Sequence, residues 1–191
     1  LHLFGKLEYQ RYPDSFWGIG NAAEDAEEER YDRERVRFRG SAQHRLYGPL
    51  YGGLGSDLML YRGVYTSTDG IFATQDIPGE AGGFTAGLGP TLTFDSRDNT
   101  VGPRDGYLLN ASFLYFGEPL GSRYDFVKST LDLRYYIEPL PRQVLALRFH
   151  GEAHGGDVPY YQLALLGGDD LLRGYYLGRY RDEALASLEV E

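Results

Sequence analysis

Apolar and polar residues alternate along most of this chain with a period of two, the spacing of a strand with two unlike faces. Between Phe84 and Phe94 one face carries Phe84, Ala86, Leu88, Leu92 and Phe94, and the other carries Thr85, Gly87, Gly89, Thr91 and Thr93. Tyr107, Leu109, Ala111, Phe113 and Tyr115 share a face in the next segment. From Val127 to Ile137 an apolar face (Val127, Leu131, Leu133, Tyr135, Ile137) opposes Lys128, Thr130, Asp132, Arg134 and Tyr136. Leu145, Leu147, Phe149 and Ala153 then oppose Arg148, His150, Glu152 and His154, and Ala184, Ala186, Leu188 and Val190 oppose Ser187, Glu189 and Glu191. Fainter alternation marks Leu3, Leu7 and Tyr9, then Val36 and Phe38, then Leu54, Leu58 and Leu60. The pattern predicts strands near 1–12, 29–42, 50–64, 84–95, 106–116, 124–138, 143–154 and 182–191. Most have the length of about ten residues that a tilted strand needs to cross a bilayer.

Alternation of this kind fits a soluble sandwich, with apolar residues inside, or a membrane barrel, with apolar residues on lipid and charges in the lumen. Strand length and the mid-strand charges Arg134, Arg148 and Glu152 favour the barrel. The connections also alternate: Pro13–Glu28, Thr66–Gly83 and the loop 155–181 are long, whereas Gln43–Leu50 and Pro139–Arg142 are short. Outer-membrane barrels combine short periplasmic turns with longer outer loops, so the long connections are expected outside. The acidic run 24–29 is expected to be a solvated part of the first.

Composition narrows the choice. The 26 Gly and 17 Tyr among 191 residues suit an all-β chain, glycine being about twice its usual share of roughly 7%. No apolar run approaches the roughly 18–20 residues of a membrane helix. A net charge of -9 argues against a nucleic-acid partner, and the lack of Cys excludes disulfides and thiolate metal sites. Both ends of the chain are strand-like. These strands are therefore expected to form an open, curved piece of a larger antiparallel barrel.

Three motifs stand in order. Thr93-Phe94-Asp95-Ser96-Arg97-Asp98-Asn99, followed by Pro103-Arg104-Asp105-Gly106, makes a polar turn. Leu166-Gly167-Gly168 leads to Leu172-Arg173-Gly174-Tyr175 inside the longest loop. Ala186-Ser187-Leu188-Glu189 follows in the last strand. This series resembles the BamA/TamA-type superfamily of outer-membrane barrels, the bacterial surface antigen family, in a short member or fragment without the periplasmic POTRA domains. The segment Tyr12–Asn21 also resembles the opening of short members. The resemblance makes Asp95, Arg97, Asp98, Asn99 and Gly106 a periplasmic turn and 155–181 the sixth outer loop, folded back into the barrel. It implies that Arg173 binds an inward carboxylate, with Glu189 first and Asp132 or Glu152 behind it; the alternation independently places all three on the polar face. A guanidinium fork suits a carboxylate in a partly wet lumen. Gly174 would allow close passage along the wall or a positive φ, and Tyr175 offers an aromatic body with a polar tip.

The resemblance further implies a non-enzymatic protein that inserts or transports protein or lipid at the bacterial outer membrane, by lateral opening of a strand seam outside these residues. Its expected partners are outer-membrane lipids including lipopolysaccharide, client barrel proteins and periplasmic chaperones, with no cofactor. The alternative function is a passive channel or structural barrel. Other chemistry is weakly supported. His150, Glu152 and His154 alternate on one face, but a polar lumen wall explains them better than a metal. Ser15 lacks the elbow of a hydrolase nucleophile, and Gly87-Leu88-Gly89 has no following helix to present amides to a phosphate. Arg35, Arg37 and Arg39 fit a pore lining better than a lipopolysaccharide site.

Overall fold

In a computed structural model, the described residues are 1–21, 28–65 and 67–191, the side chain of Asp170 apart. Eight long strands form one antiparallel sheet: β1 His2–Phe16, β2 Glu29–Tyr47, β3 Leu50–Val64, β4 Gly83–Asp95, β5 Gly106–Phe116, β6 Phe126–Leu140, β7 Gln143–Gly156 and β10 Ala184–Val190. Each pairs with its neighbour in chain order, and β1 and β10 form the two edges. The connection from β7 to β10 carries a short hairpin, β8 Ala164–Leu166 with β9 Tyr180–Asp182, and a helical turn, α2 Gly168–Leu171. A second helical turn, α1 Ile71–Thr74, lies between β3 and β4. The sheet curls into an open half-barrel.

A shared register carries the alternation through every strand. Leu109, Leu133, Phe149 and Leu188 stand side by side across β5, β6, β7 and β10, and form an apolar row on the convex face. One residue further on, Leu108, Arg134, Arg148 and Glu189 form a row on the concave face. Slippage of one residue anywhere would exchange the two faces. At the turn end of the convex face, Tyr107 and Tyr135 stack with their centroids 4.6 Å apart, as in the aromatic girdle of a membrane barrel.

Two strands run further than the sequence expectation, and one acidic residue is buried where a solvated one is expected. β1 continues through Pro13 to Phe16, because an edge strand tolerates a residue without an N–H. β2 runs on to Tyr47, so only Gly48 and Pro49 connect it to β3. Glu29, expected in the solvated acidic run, instead opens β2 as a buried residue and accepts the Phe72 N–H at 3.0 Å. Residues 22–27, which hold most of that run, lie outside the described residues.

The main buried cluster sits at the loop end, where Phe16, Tyr31, Met59, Tyr61, Phe116 and Phe126 meet Phe72 and Tyr160 from the long connections. The wall below is two-sided, and this predicts an asymmetric response to substitution. Leu133→Arg places a charge in the lipid-facing row, at a cost of about 2–4 kcal/mol at mid-membrane depth. Arg134→Leu leaves the lipid face intact and is expected to cost less. Urea titration of the intact protein folded in liposomes measures both.

Candidate functional site

The connection after β7 turns back over the concave face. Val158, Tyr160, Tyr161 and Leu163 are buried at the loop end of the wall. Tyr160 Oη lies 2.7 Å from Tyr61 Oη and 2.9 Å from Tyr65 Oη, and Tyr65 Oη donates to the Glu80 carbonyl at 2.9 Å. One hydroxyl chain thus ties the wall to the connections after β3 and β7. Burial raises the Tyr65 phenol to about 12 and pushes Tyr160 further in the same direction. Gln162, buried beside them, donates from Nε2 to Thr85 Oγ1 at 2.8 Å.

From this anchor the loop descends toward the turn end. Its tip, with Asp169 and Arg173, lines a cleft with Tyr136, Ala146 and Leu147. Gly167 adopts φ 121, and a Cβ there would collide with the Tyr176 carbonyl, so only glycine fits. The Gly168 N–H reaches the Tyr175 carbonyl at 2.9 Å and closes the turn. Gly174 adopts φ 99 with open space around it, so its role is torsional rather than a close approach to the wall. Tyr175 is half exposed, near Tyr180. Ser187 Oγ on β10 donates to the Leu171 carbonyl at 3.4 Å.

The partner of Arg173 differs from the three carboxylates expected. Its Nη2 contacts Glu191 Oε1 at 2.9 Å, with both side chains well exposed. The reason is competition along the concave rows. Asp132 accepts Arg134 at 2.6 Å and Arg148 at 2.7 Å. Glu152 accepts Lys128 at 2.8 Å. Glu189 stands directly opposite Arg148 and lies 3.6 Å from it. Glu191 continues the same face and is the carboxylate that Arg173 meets.

A second polar cluster does not read as a site in the sequence. Asp14 is buried on β1, pairs with Arg33 at 2.9 Å, and accepts Tyr31 Oη at 3.3 Å and Tyr176 Oη at 3.2 Å. It joins the loop to the first two strands. Arg181 of β9 is buried with its guanidinium 5.0 Å from the Phe16 ring centroid and 5.5 Å from that of Tyr160. No carboxylate among the described residues pairs with it. Asp14 falls beside Pro13 in what reads as a loop, and Arg181 falls in an aperiodic stretch. Only the tyrosine abundance hinted at such a cluster.

The turn between β4 and β5 satisfies itself. Asp95 holds Arg97 through both carboxylate oxygens, each at 2.9 Å. Asp98 Oδ1 accepts the Arg104 N–H at 2.9 Å, and Asn99 Oδ1 accepts the Val101 N–H at 2.9 Å. Gly106 returns the chain to β5 at φ 106. These backbone donors hold the Asp98 carboxyl below its ordinary range.

His150, Glu152 and His154 do not converge. His150 Nδ1 is 3.6 Å from Asp132, while His154 Nε2 is 3.3 Å from the same Glu152 oxygen that receives Lys128. Arg35, Arg37 and Arg39 face the concave side, where they meet Gln10, Asp57 and Glu8.

Residues 1–187 match the model of the Omp85 superfamily domain. The chain belongs to the Omp85 superfamily. Its sheet is therefore part of a bacterial outer-membrane β-barrel, with the convex face toward lipid. Over 88 residues it is 32% identical to the outer membrane protein assembly factor BamA of Nitratidesulfovibrio vulgaris, covering 44% of this chain and 11% of that protein. The fold is similar to the crystal structure of Haemophilus ducreyi BamA lacking POTRA domains 1–3, with a TM-score of 0.57 and 22% identity over 92% of this chain. This Omp85 chain spans 35% of that structure.

The Arg173 pair is exposed, so Arg173→Ala is expected to cost no more than about 1 kcal/mol. Arg181→Ala removes a buried cation from two rings and leaves a cavity, at roughly 2 kcal/mol or more; denaturant midpoints of the intact protein separate the two. In the turn, the carboxylate of Asp98 is favoured by folding, so its contribution is complete above the usual carboxylate range. It fades only as pH falls through the lowered folded value. Amide protection at Arg104 and Asp105 is expected to hold down through the usual carboxylate range, about pH 4, and to fall below it, whereas in Asp98→Ala it is already low at neutral pH and changes little on acidification.

Proposed function

We propose that this chain supplies barrel wall and inner loop to an outer-membrane assembly factor that inserts or translocates polypeptide or lipid without bond chemistry of its own. The observation that carries the reading is the loop 157–183, anchored at the outer end and running down the polar concave face, in a member of the Omp85 superfamily. Likeness to a relative named as an outer membrane protein assembly factor supports outer-membrane proteins as clients. Periplasmic chaperones that deliver such clients, and outer-membrane lipids including lipopolysaccharide, are the further partners proposed.

The concave wall suits transient contact with an unfolded strand. Its charges are paired within and between strands, as in Lys6–Glu8–Arg39 and Arg134–Asp132–Arg148, so it presents polar groups without a strong field of one sign. A sliding polypeptide meets alternative hydrogen-bond partners rather than one deep trap. The anchored loop occupies space that an unobstructed pore would leave to water.

The test reconstitutes the intact protein in liposomes and follows the folding of an urea-unfolded client barrel. The proposal predicts faster client folding than in protein-free liposomes. Steady ion conductance in planar bilayers without any such acceleration contradicts it and identifies a passive channel.

A further inference from the structure

The outward-facing arginines of the first three strands lie elsewhere than Arg35, Arg37 and Arg39. Strand register sets Arg11 of β1 directly opposite Glu34 of β2, and Glu34 directly opposite Arg62 of β3. All three positions belong to the convex face. They form a row in which one carboxylate stands between two guanidinium groups. Tyr9 Oη donates to Glu34 Oε1 at 3.0 Å, which fixes the carboxylate at the centre of the row. Arg11 and Arg62 are exposed, and Arg62 makes no hydrogen bond or ion pair among the described residues.

The depth of this row gives it meaning. The next row toward the turns is Tyr9, Val36 and Leu60, all exposed on the lipid side. The next row toward the long loops is Pro13, Asp32 and Val64. Arg11, Glu34 and Arg62 are therefore the first charges met on leaving the apolar belt at the outer end. With Pro13, Asp32 and Val64 they border a groove of about 520 Å³. A guanidinium at this level keeps its stem along the apolar wall while its head reaches the headgroup layer. Two such forks separated by two strand spacings, roughly 10 Å apart at the backbone, leave a gap that a tetrahedral anion bridges with bidentate contacts.

We propose that this row binds the phosphorylated sugar headgroup of an outer-leaflet glycolipid, with the phosphate between Arg11 and Arg62 and the acyl chains along Val36 and Leu60. The arginines supply charge complementarity, and the apolar row below supplies the surface that a free anion cannot use. Glu34, and Asp32 in the adjoining row, oppose the anion and moderate its affinity, while the bond from Tyr9 to Glu34 keeps the row ordered. The site rests on the lipid partner proposed above and gives it a place on the wall; its test reads lipid binding alone, so its failure is distinct from a failure of client folding.

Thermal unfolding of the intact protein in neutral detergent, titrated with bisphosphorylated lipid A, with its dephosphorylated form or with inorganic phosphate, tests the assignment. The phosphorylated lipid is expected to bind roughly tenfold more tightly than the dephosphorylated one, and inorganic phosphate at millimolar concentration to produce no shift. Arg11→Gln combined with Arg62→Gln should reduce the preference to less than about twofold. Glu34→Gln, which keeps both arginines, should sharpen it. Equal binding of the two lipids, a preference unchanged in the double variant, or a preference weakened by Glu34→Gln overturns the site. Stabilisation by inorganic phosphate alone overturns the lipid as its occupant. Should the double variant fail to fold, the Glu34→Gln result decides.

Discussion

Register is the constraint on which the rest of this structure depends. With a side-chain period of two, each strand must meet its neighbour in phase, or lipid-facing residues turn into the lumen. Hydrophobicity alone sets the phase weakly in strands as glycine-rich as β3 and β4. Cross-strand ion pairs on the concave face reinforce it. Arg37 of β2 reaches Asp57 of β3, and Lys128 of β6 reaches Glu152 of β7. Arg134 and Arg148 stand directly opposite each other, an arrangement of like charges that is unfavourable alone. Asp132 accepts both and converts the clash into a bridge. Such pairs add little net stability when partly buried, because desolvation offsets attraction. Their effect is to make the slipped registers worse.

The inner loop depends on that wall in two different ways. At the outer end it is held by packing and by hydroxyl contacts between aromatic side chains, with Tyr160 at the centre and Arg181 over the rings. At the tip it is held by an exposed ion pair and one hydroxyl-to-carbonyl contact. The anchored end is therefore expected to be rigid and the tip to be the mobile part. This division fits the proposed assembly role, in which the loop is held inside the barrel while its end responds to a passing client.

The sequence made the faces legible and the partners less so. Alternation placed Asp132, Arg134, Arg148, Glu152 and Glu189 on one side, because a two-residue period needs no tertiary information. The carboxylate met by Arg173 was not legible, since it depends on which acids the wall's own arginines already occupy. That is a property of register between strands, not of spacing along one. Pro13 masked the last turn of β1, as its behaviour on an edge strand cannot be told from its behaviour in a loop. The Asp14 and Tyr160 clusters join residues nearly the whole chain apart, with no local pattern to announce them. The turn at Asp95–Gly106 was readable because its hydrogen bonds are made within itself.

The central claim is that the loop lies along the concave face, its tip against the last strand. The 191 residues contain no Cys, so thiols introduced there report without interference from the rest of this segment. Arg173→Cys combined with Glu191→Cys, treated with a short bismaleimide in the intact protein in native outer membranes, measures the contact directly. A loop in this position predicts efficient intramolecular cross-linking and slow labelling of position 173 by a bulky maleimide added outside the cell. Rapid outside labelling with no cross-link would place the tip at the cell surface and contradict the account.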